Sequence, residues 1–160
     1  MNIKTIAVAL LIVAGAQPAS RALAAVDPCA LLTKQEAATA LGEAVGEPKK
    51  IEREGSAGPG SSVASCEYTS AARHSVHVIV RRFARDSEAA SVQIYKAAAA
   101  KKERVPGIGD LACWNDSAHR ELQVLKGATV LTIQINRDGN ATEALTIVGK
   151  NAAARLGDTK

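Results

Sequence analysis

Apolar and polar positions alternate with a period of two over Ser75–Phe83, where Val76, Val78 and Val80 interleave with Ser75, His77, Ile79 and Arg81. Successive strand residues point to opposite faces, so this stretch predicts a strand with one face on a core. Glu121–Leu125 and Thr129–Ile135 carry Leu122, Val124, Val130, Ile133 and Ile135, with Thr129 and Thr132 adding strand propensity. Lys126-Gly127 lies between them as a turn, which makes this pair the plainest hairpin in the chain. Shorter strands are expected at Val63–Tyr68 and Leu111–Trp114, and a weaker one around Lys49–Arg53.

The period lengthens in three places. Ala141, Leu145, Val148, Ala152 and Leu156 recur at helical spacing, and Asn140 with Glu143 forms a box-like start ahead of them. Thr33-Lys34-Gln35-Glu36 is a capping box, followed by Ala37, Ala38 and Leu41 and stopped by Gly42. Asp86 or Ser87 caps a third helix reaching about Glu103, with Ala90, Ile94 and Ala98 as a thin apolar stripe. Gly and Pro exclude regular structure from Glu54–Ser62. The expected order is α-β-β-β-α-β-β-β-α. Strands grouped between helices predict an α+β fold, a two-layer sandwich with helices on one face of an antiparallel, hairpin-built sheet.

The first residues follow a different logic. Lys4 is followed by twelve uncharged residues, Thr5 to Ala16, and then by Gln17, Pro18, Ser20 and Arg21. Ala22-Leu23-Ala24 places small residues where a signal peptidase reads them, so residues 1–24 are expected to be a cleaved export signal. The apolar run is shorter than the ~20 residues a membrane span needs. Pro28 and Asp27 precede Cys29, whereas lipidation requires a small residue there, so a soluble chain is expected. Residues 25–160 then form a single domain, of a size that suits one core. The expected compartment is the periplasm or the exterior.

Removing residues 1–24 takes away Lys4 and Arg21 and no acid, so 20 basic against 16 acidic residues becomes 18 against 16. A net charge of +2 spread along the chain provides no electrostatic footprint for nucleic acid. The four aromatics, Tyr68, Phe83, Tyr95 and Trp114, are too few for a stacking platform.

Cys29, Cys66 and Cys113 are the only cysteines. In an oxidising compartment two are expected to pair, and three pairings are open. Cys29–Cys66 is preferred because it ties the first helical region to an early strand. Cys113 is then a free thiol, either a small core residue or a nucleophile with His119 or Asp116 beside it. His74 and His77 are three apart in a strand and so point to opposite faces, which makes a poor metal pair. Gly107-x-Gly109-x-x-Ala112 has the spacing of a dinucleotide fingerprint, but Pro106 precedes it and a strand follows it, so a nucleotide site is rejected. No cofactor or metal is expected.

Cys29-Ala30-Leu31-Leu32-Thr33, leading into the helix that ends at Leu41-Gly42, resembles the opening of a family of small bacterial cell-envelope lipoproteins and secreted proteins of unknown function. Cys66-Glu67-Tyr68 resembles its second cysteine with a following aromatic. Pro106-Gly107-Ile108-Gly109-Asp110-Leu111-Ala112 resembles its Gly-x-Gly-Asp turn, with Trp114 as the aromatic beyond it. The resemblance implies an α+β sandwich and the Cys29–Cys66 pair, and it brings no activity. The chain departs from the pattern in lacking a lipidated cysteine and in carrying Cys113.

These features favour a non-enzymatic binding or interaction module of the envelope, whose uncovered sheet face receives an apolar small molecule or an envelope protein. Gly107, Gly109, Asp110 and Trp114 are the candidate rim. The alternatives are a thiol-dependent enzyme using Cys113 and a structural or inhibitory envelope partner.

Overall fold

The structure, a computed structural model, describes residues 26–54 and 61–158. The export signal expected over residues 1–24 lies outside the described residues, as does most of the Glu54–Ser62 loop. The elements are α1 (Pro28–Leu31), α2 (Lys34–Leu41), β1 (Lys49–Glu54), β2 (Ser62–Thr69), β3 (Ser75–Arg82), α3 (Glu88–Ala99), β4 (Leu111–Trp114), β5 (Glu121–Lys126), β6 (Thr129–Asn136) and α4 (Thr142–Asp158). Apart from the one-turn α1, this is the expected order, and the fold class is α+β.

Local chemistry sets the ends of the first helices. Asp27 accepts a hydrogen bond from the Cys29 amide at 3.1 Å, and Pro28 is preset for the first helical position. In α2 the Thr33 hydroxyl accepts from the Glu36 amide at 3.2 Å, while the Glu36 carboxylate accepts from the Thr33 amide at 2.9 Å. Gly42 ends the helix in the left-handed conformation.

All six strands form one antiparallel sheet in the order β1-β2-β3-β6-β5-β4. It is two three-stranded meanders laid side by side, joined where β3 pairs with β6. The β4 edge is covered by the preceding segment, whose Val105 amide donates to Ala112 O and whose Glu103 O accepts from Trp114 N. The β1 edge, Lys-Lys-Ile-Glu-Arg-Glu, is highly charged, which discourages pairing with a second chain.

Register builds the core. Val78 lies opposite Ile133 and Val80 opposite Leu131; on the far side of β6 the same two residues face Leu122 and Val124. All six are nearly inaccessible to solvent. α1 and α2 cover this face over β2 and β3, and α4 covers it over β5 and β6. The whole expected stripe of α4, Ala141, Leu145, Val148, Ala152 and Leu156, is buried there. Gly149 permits the close approach, since a Cβ at this position would lie 2.4 Å from Leu122 Cδ2.

The fourth helix is placed differently. α3 contributes Ala99, Val92 and Tyr95 to a second cluster with Leu111, Cys113, Leu125, Val130 and Phe83. These strand positions alternate with those of the main core, so α3 lies on the opposite face of the sheet. The expectation that the helices share one face is therefore met by α1, α2 and α4, and α3 adds a partial third layer. It also ends at Ala99 rather than near Glu103, because the chain turns there to cover the β4 edge.

The front of the chain is held at several points. Cys29 and Cys66 form a disulfide across 37 residues, with Cα atoms 5.1 Å apart. The buried Tyr68 hydroxyl donates to Leu32 O at 2.6 Å, and Arg155 Nη1 donates to Leu31 O at 2.9 Å. An oxidised pair belongs to a compartment outside the reducing cytoplasm. No helix among the described residues is long and apolar enough to cross a membrane.

Gly109 has a φ of 59°, and a Cβ there would lie 2.6 Å from Leu125 O and 2.5 Å from Val124 Cγ1. Gly139 also has positive φ but faces open space. Gly139→Ala is expected to cost about 1 kcal/mol from backbone strain alone, and Gly109→Ala at least about twice that because the adjoining backbone must move. Urea midpoints of the two variants check the ordering.

Candidate functional site

The face opposite the main core is the chemically unfinished part of the molecule. Its floor is set by alternation: Ile79 and Arg81 from β3, Val130, Thr132 and Gln134 from β6, and Glu121 and Gln123 from β5. Register places Arg81 beside Val130, Ile79 beside Thr132, and His77 beside Gln134; on the far side Gln123 faces Thr132 and Glu121 faces Gln134. α3 stands over the β4 end of this floor. Between helix and floor runs a groove of about 510 Å³, with Ser91, Ile94, Tyr95 and Ala98 as its helical wall and Phe83 at one end.

The packing face of α3 is Val92, Tyr95 and Ala99, at spacings of three and four. The expected stripe of Ala90, Ile94 and Ala98 is instead turned away from the packed cluster. Ile94 is 71 % exposed, the most exposed large hydrophobic side chain among the described residues. Helical periodicity in an alanine-rich segment does not distinguish these neighbouring stripes, since both are apolar.

The two ends of the groove differ electrostatically. At the β5 end, the Glu121 carboxylate accepts from Gln134 Nε2 at 2.8 Å, Gln123 Nε2 at 3.2 Å and Asn115 Nδ2. Lys102 donates to Asn115 Oδ1 and, at 3.3 Å, to Gln123 Oε1, which completes the network. Arg81 stands at the other end, exposed, and its guanidinium has no partner among the described residues. Four residues along β6 separate the two registers, which is roughly 13 Å. Within the same face the Tyr95 hydroxyl and His77 Nε2 are buried without hydrogen-bond partners. Burial, reinforced by the neighbouring Cys113, pushes the Tyr95 phenol well above its ordinary range, so it remains a neutral donor.

A second groove, about 620 Å³, lies between α2 and α4, with Ile147 on its wall. Its polar groups are mostly occupied by one another. Arg155 makes a two-pronged pair with Glu36 at 2.8 Å per contact, and Asn151 Nδ2 donates to Glu36 Oε1 at 2.9 Å. Arg137 donates through both terminal nitrogens, to Ala40 O and Asn140 O, leaving only its Nε without a partner. This groove is a seam that holds two helices together.

The candidate rim is divided by the structure. Gly107, Gly109 and Asp110 lie in one turn beside a hollow of about 320 Å³. Asp110 is committed to the β5–β6 turn, accepting from the Gly127 amide at 2.7 Å and lying 3.5 Å from Lys126 Nζ. Trp114 is not on a rim: only 6 % exposed, it belongs to the main core.

Cys113 is a buried free thiol facing α3. His119 stacks on Trp114 with ring centroids 4.6 Å apart, and it contacts Glu103 at 2.9 Å and Thr142 at 3.3 Å. Cys113 and Trp114 are consecutive in β4 and point to opposite faces, so the structure does not bring His119 to the thiol. Asp116 is equally committed, accepting from the amides of Ala118, Arg120 and Glu121. Of the two strand histidines, His74 contacts Glu43 at 2.5 Å and Asp138 at 3.6 Å, while His77 belongs to the uncovered face.

Sequence reasoning passed over Ile79, Arg81, Phe83, Tyr95 and Thr132 as site residues. One signal was visible: Ile79 sits among polar residues on the non-core face of an otherwise two-faced strand. No family model matches the chain, and no curated protein or solved structure shows significant similarity to it.

Arg155, with lesser help from Thr33 and Asn151, holds the Glu36 carboxyl down at about 2 against desolvation that opposes it. A carboxyl depressed in the folded state stabilises above its unfolded value of 4.5, and that contribution is lost as pH falls toward 2. Glu36→Gln is expected to cost about 1–2 kcal/mol at pH 6, allowing for the solvent that reaches Arg155. The difference from the parent protein is expected to shrink to a small fraction of this near pH 2, read from urea unfolding at both pH values.

Proposed function

We propose that the chain is an exported, non-enzymatic binding module of the cell envelope, periplasmic or secreted, and that it takes an apolar ligand in the groove between α3 and the uncovered sheet face. The observation that carries this reading is the exposed Ile94 on a groove whose other walls are Ile79, Phe83, Tyr95, Ala98 and Val130. Ligand sites are typically concave, mostly apolar and furnished with a few convergent polar groups. Here those groups are Arg81 and Thr132. The resemblance to small envelope lipoproteins supports the compartment, and the disulfide supports an oxidising one. The thiol-enzyme reading is weakened because its two expected bases, His119 and Asp116, are engaged away from Cys113.

Nile red, a neutral dye that brightens in apolar surroundings, is the direct probe. It is expected to bind the folded, disulfide-bonded protein, and Ala98→Trp or Thr132→Trp, which fill the groove, are expected to weaken binding at least tenfold. Far-ultraviolet circular dichroism and the melting transition verify that each variant is folded. Equal binding by parent and both filled variants, or no binding by the parent, overturns the reading.

A further inference from the structure

We infer that the occupant of the groove is a single-chain anionic amphiphile, a long-chain carboxylate, lying with its head on Arg81 and its tail between α3 and the sheet floor. This inference rests on the proposed reading of the groove as a binding site and adds the class of ligand.

Charge complementarity selects the head group. Of the two charged side chains lining the groove, Glu121 already accepts from three side-chain amides, whereas the Arg81 guanidinium has no partner among the described residues. A cation would have to dismantle the network around Glu121. An anion at Arg81 displaces no partner among the described residues, and a guanidinium presents paired N–H donors that match the two oxygens of a carboxylate. The two ends lie roughly 13 Å apart along the floor. Between them the walls offer Ile79, Ile94, Tyr95, Ala98 and Val130, surfaces suited to a polymethylene chain.

The sheet argues against a peptide in the same place. β3, β6 and β5 are each paired on both sides, so the backbone donors and acceptors of the floor are already used. An extended peptide laid across this face would bring its own amides and carbonyls into contact with few partners. An acyl chain brings none.

Dodecanoate and dodecanol differ at the head and share the tail, so their relative affinity isolates the contribution of Arg81. Isothermal titration is expected to show dodecanoate binding the parent protein about tenfold more tightly than dodecanol. In Arg81→Gln that ratio is expected to fall to about one, and Arg81→Lys is expected to restore part of it. An unchanged ratio in Arg81→Gln, equal affinities in the parent, or tighter binding of an extended apolar peptide than of dodecanoate overturns the inference. Nile red separates the two levels: if the dye binds and is blocked by Ala98→Trp while dodecanoate shows no preference, only the ligand class fails. If the dye does not bind, the groove itself is not a site.

Discussion

Strand alternation forces every residue of β2, β3, β5 and β6 to choose a face, and the apolar side chains of this chain suffice to furnish one face fully and the other in part. Val76, Val78, Val80, Leu122, Val124, Leu131, Ile133 and Ile135 all fall on the same side because the register aligns their phases across three strands. That side is sealed by α1, α2 and α4. The other side carries Leu111, Cys113, Leu125 and Val130 near the β4 edge and then becomes polar, with Thr132, Gln123, Gln134 and Glu121. A helix is needed over the apolar part and not over the rest. The position of α3 and the groove beside it both follow from that uneven distribution.

The core face needs its own fastening, because α1 and α2 are short helices with little apolar surface. The disulfide and the Tyr68–Leu32 hydrogen bond tie this front segment to β2, and the Arg155 contacts to Leu31 and Glu36 tie it to α4. Closing a loop of this length by a disulfide contributes on the order of 2–4 kcal/mol, chiefly by restricting the unfolded chain. Glu36 serves twice, capping α2 with one set of contacts and receiving α4 through Arg155 with another. The second groove is therefore stitched, while the groove under α3 is left with unmatched polar atoms and an exposed isoleucine.

Most of the fold was legible because it rests on short-range patterns. The alternation of Val76, Val78 and Val80, the Thr33–Glu36 box and the α4 stripe each have a local physical cause and appear as expected; the β5–β6 turn falls at Gly127-Ala128, one residue later than expected, with Lys126 paired to Thr129. The side of the sheet taken by α3 was not legible. Both Ala90/Ile94/Ala98 and Val92/Tyr95/Ala99 are apolar, and the choice between them is made by Leu111, Cys113, Leu125 and Val130 on the three strands that follow. The candidate rim illustrates the same limit. Gly107, Gly109 and Asp110 mark an unusual turn, but Gly109 is there for the close approach of Val124 and Leu125, and Asp110 to hold the Gly127 amide. Trp114, which looked available from its place after that turn, is held in the core by the phase of β4. The groove residues come from four separate elements and share no motif; Ile79 alone, an apolar side chain in a polar phase, carried a hint.

One division organises the molecule, a dry face under three helices and a face that α3 covers only in part. Thr132 lies on the floor of the groove, one residue from the fully buried Leu131 and Ile133. The most direct measurement is mass-resolved alkylation of folded Thr132→Cys protein by N-ethylmaleimide, with Cys113 as an internal buried reference. The uncovered face predicts rapid modification of the new cysteine and protection of Cys113 until the protein unfolds. Equal protection of both thiols would show that α3 or another segment seals this face, and would contradict the account.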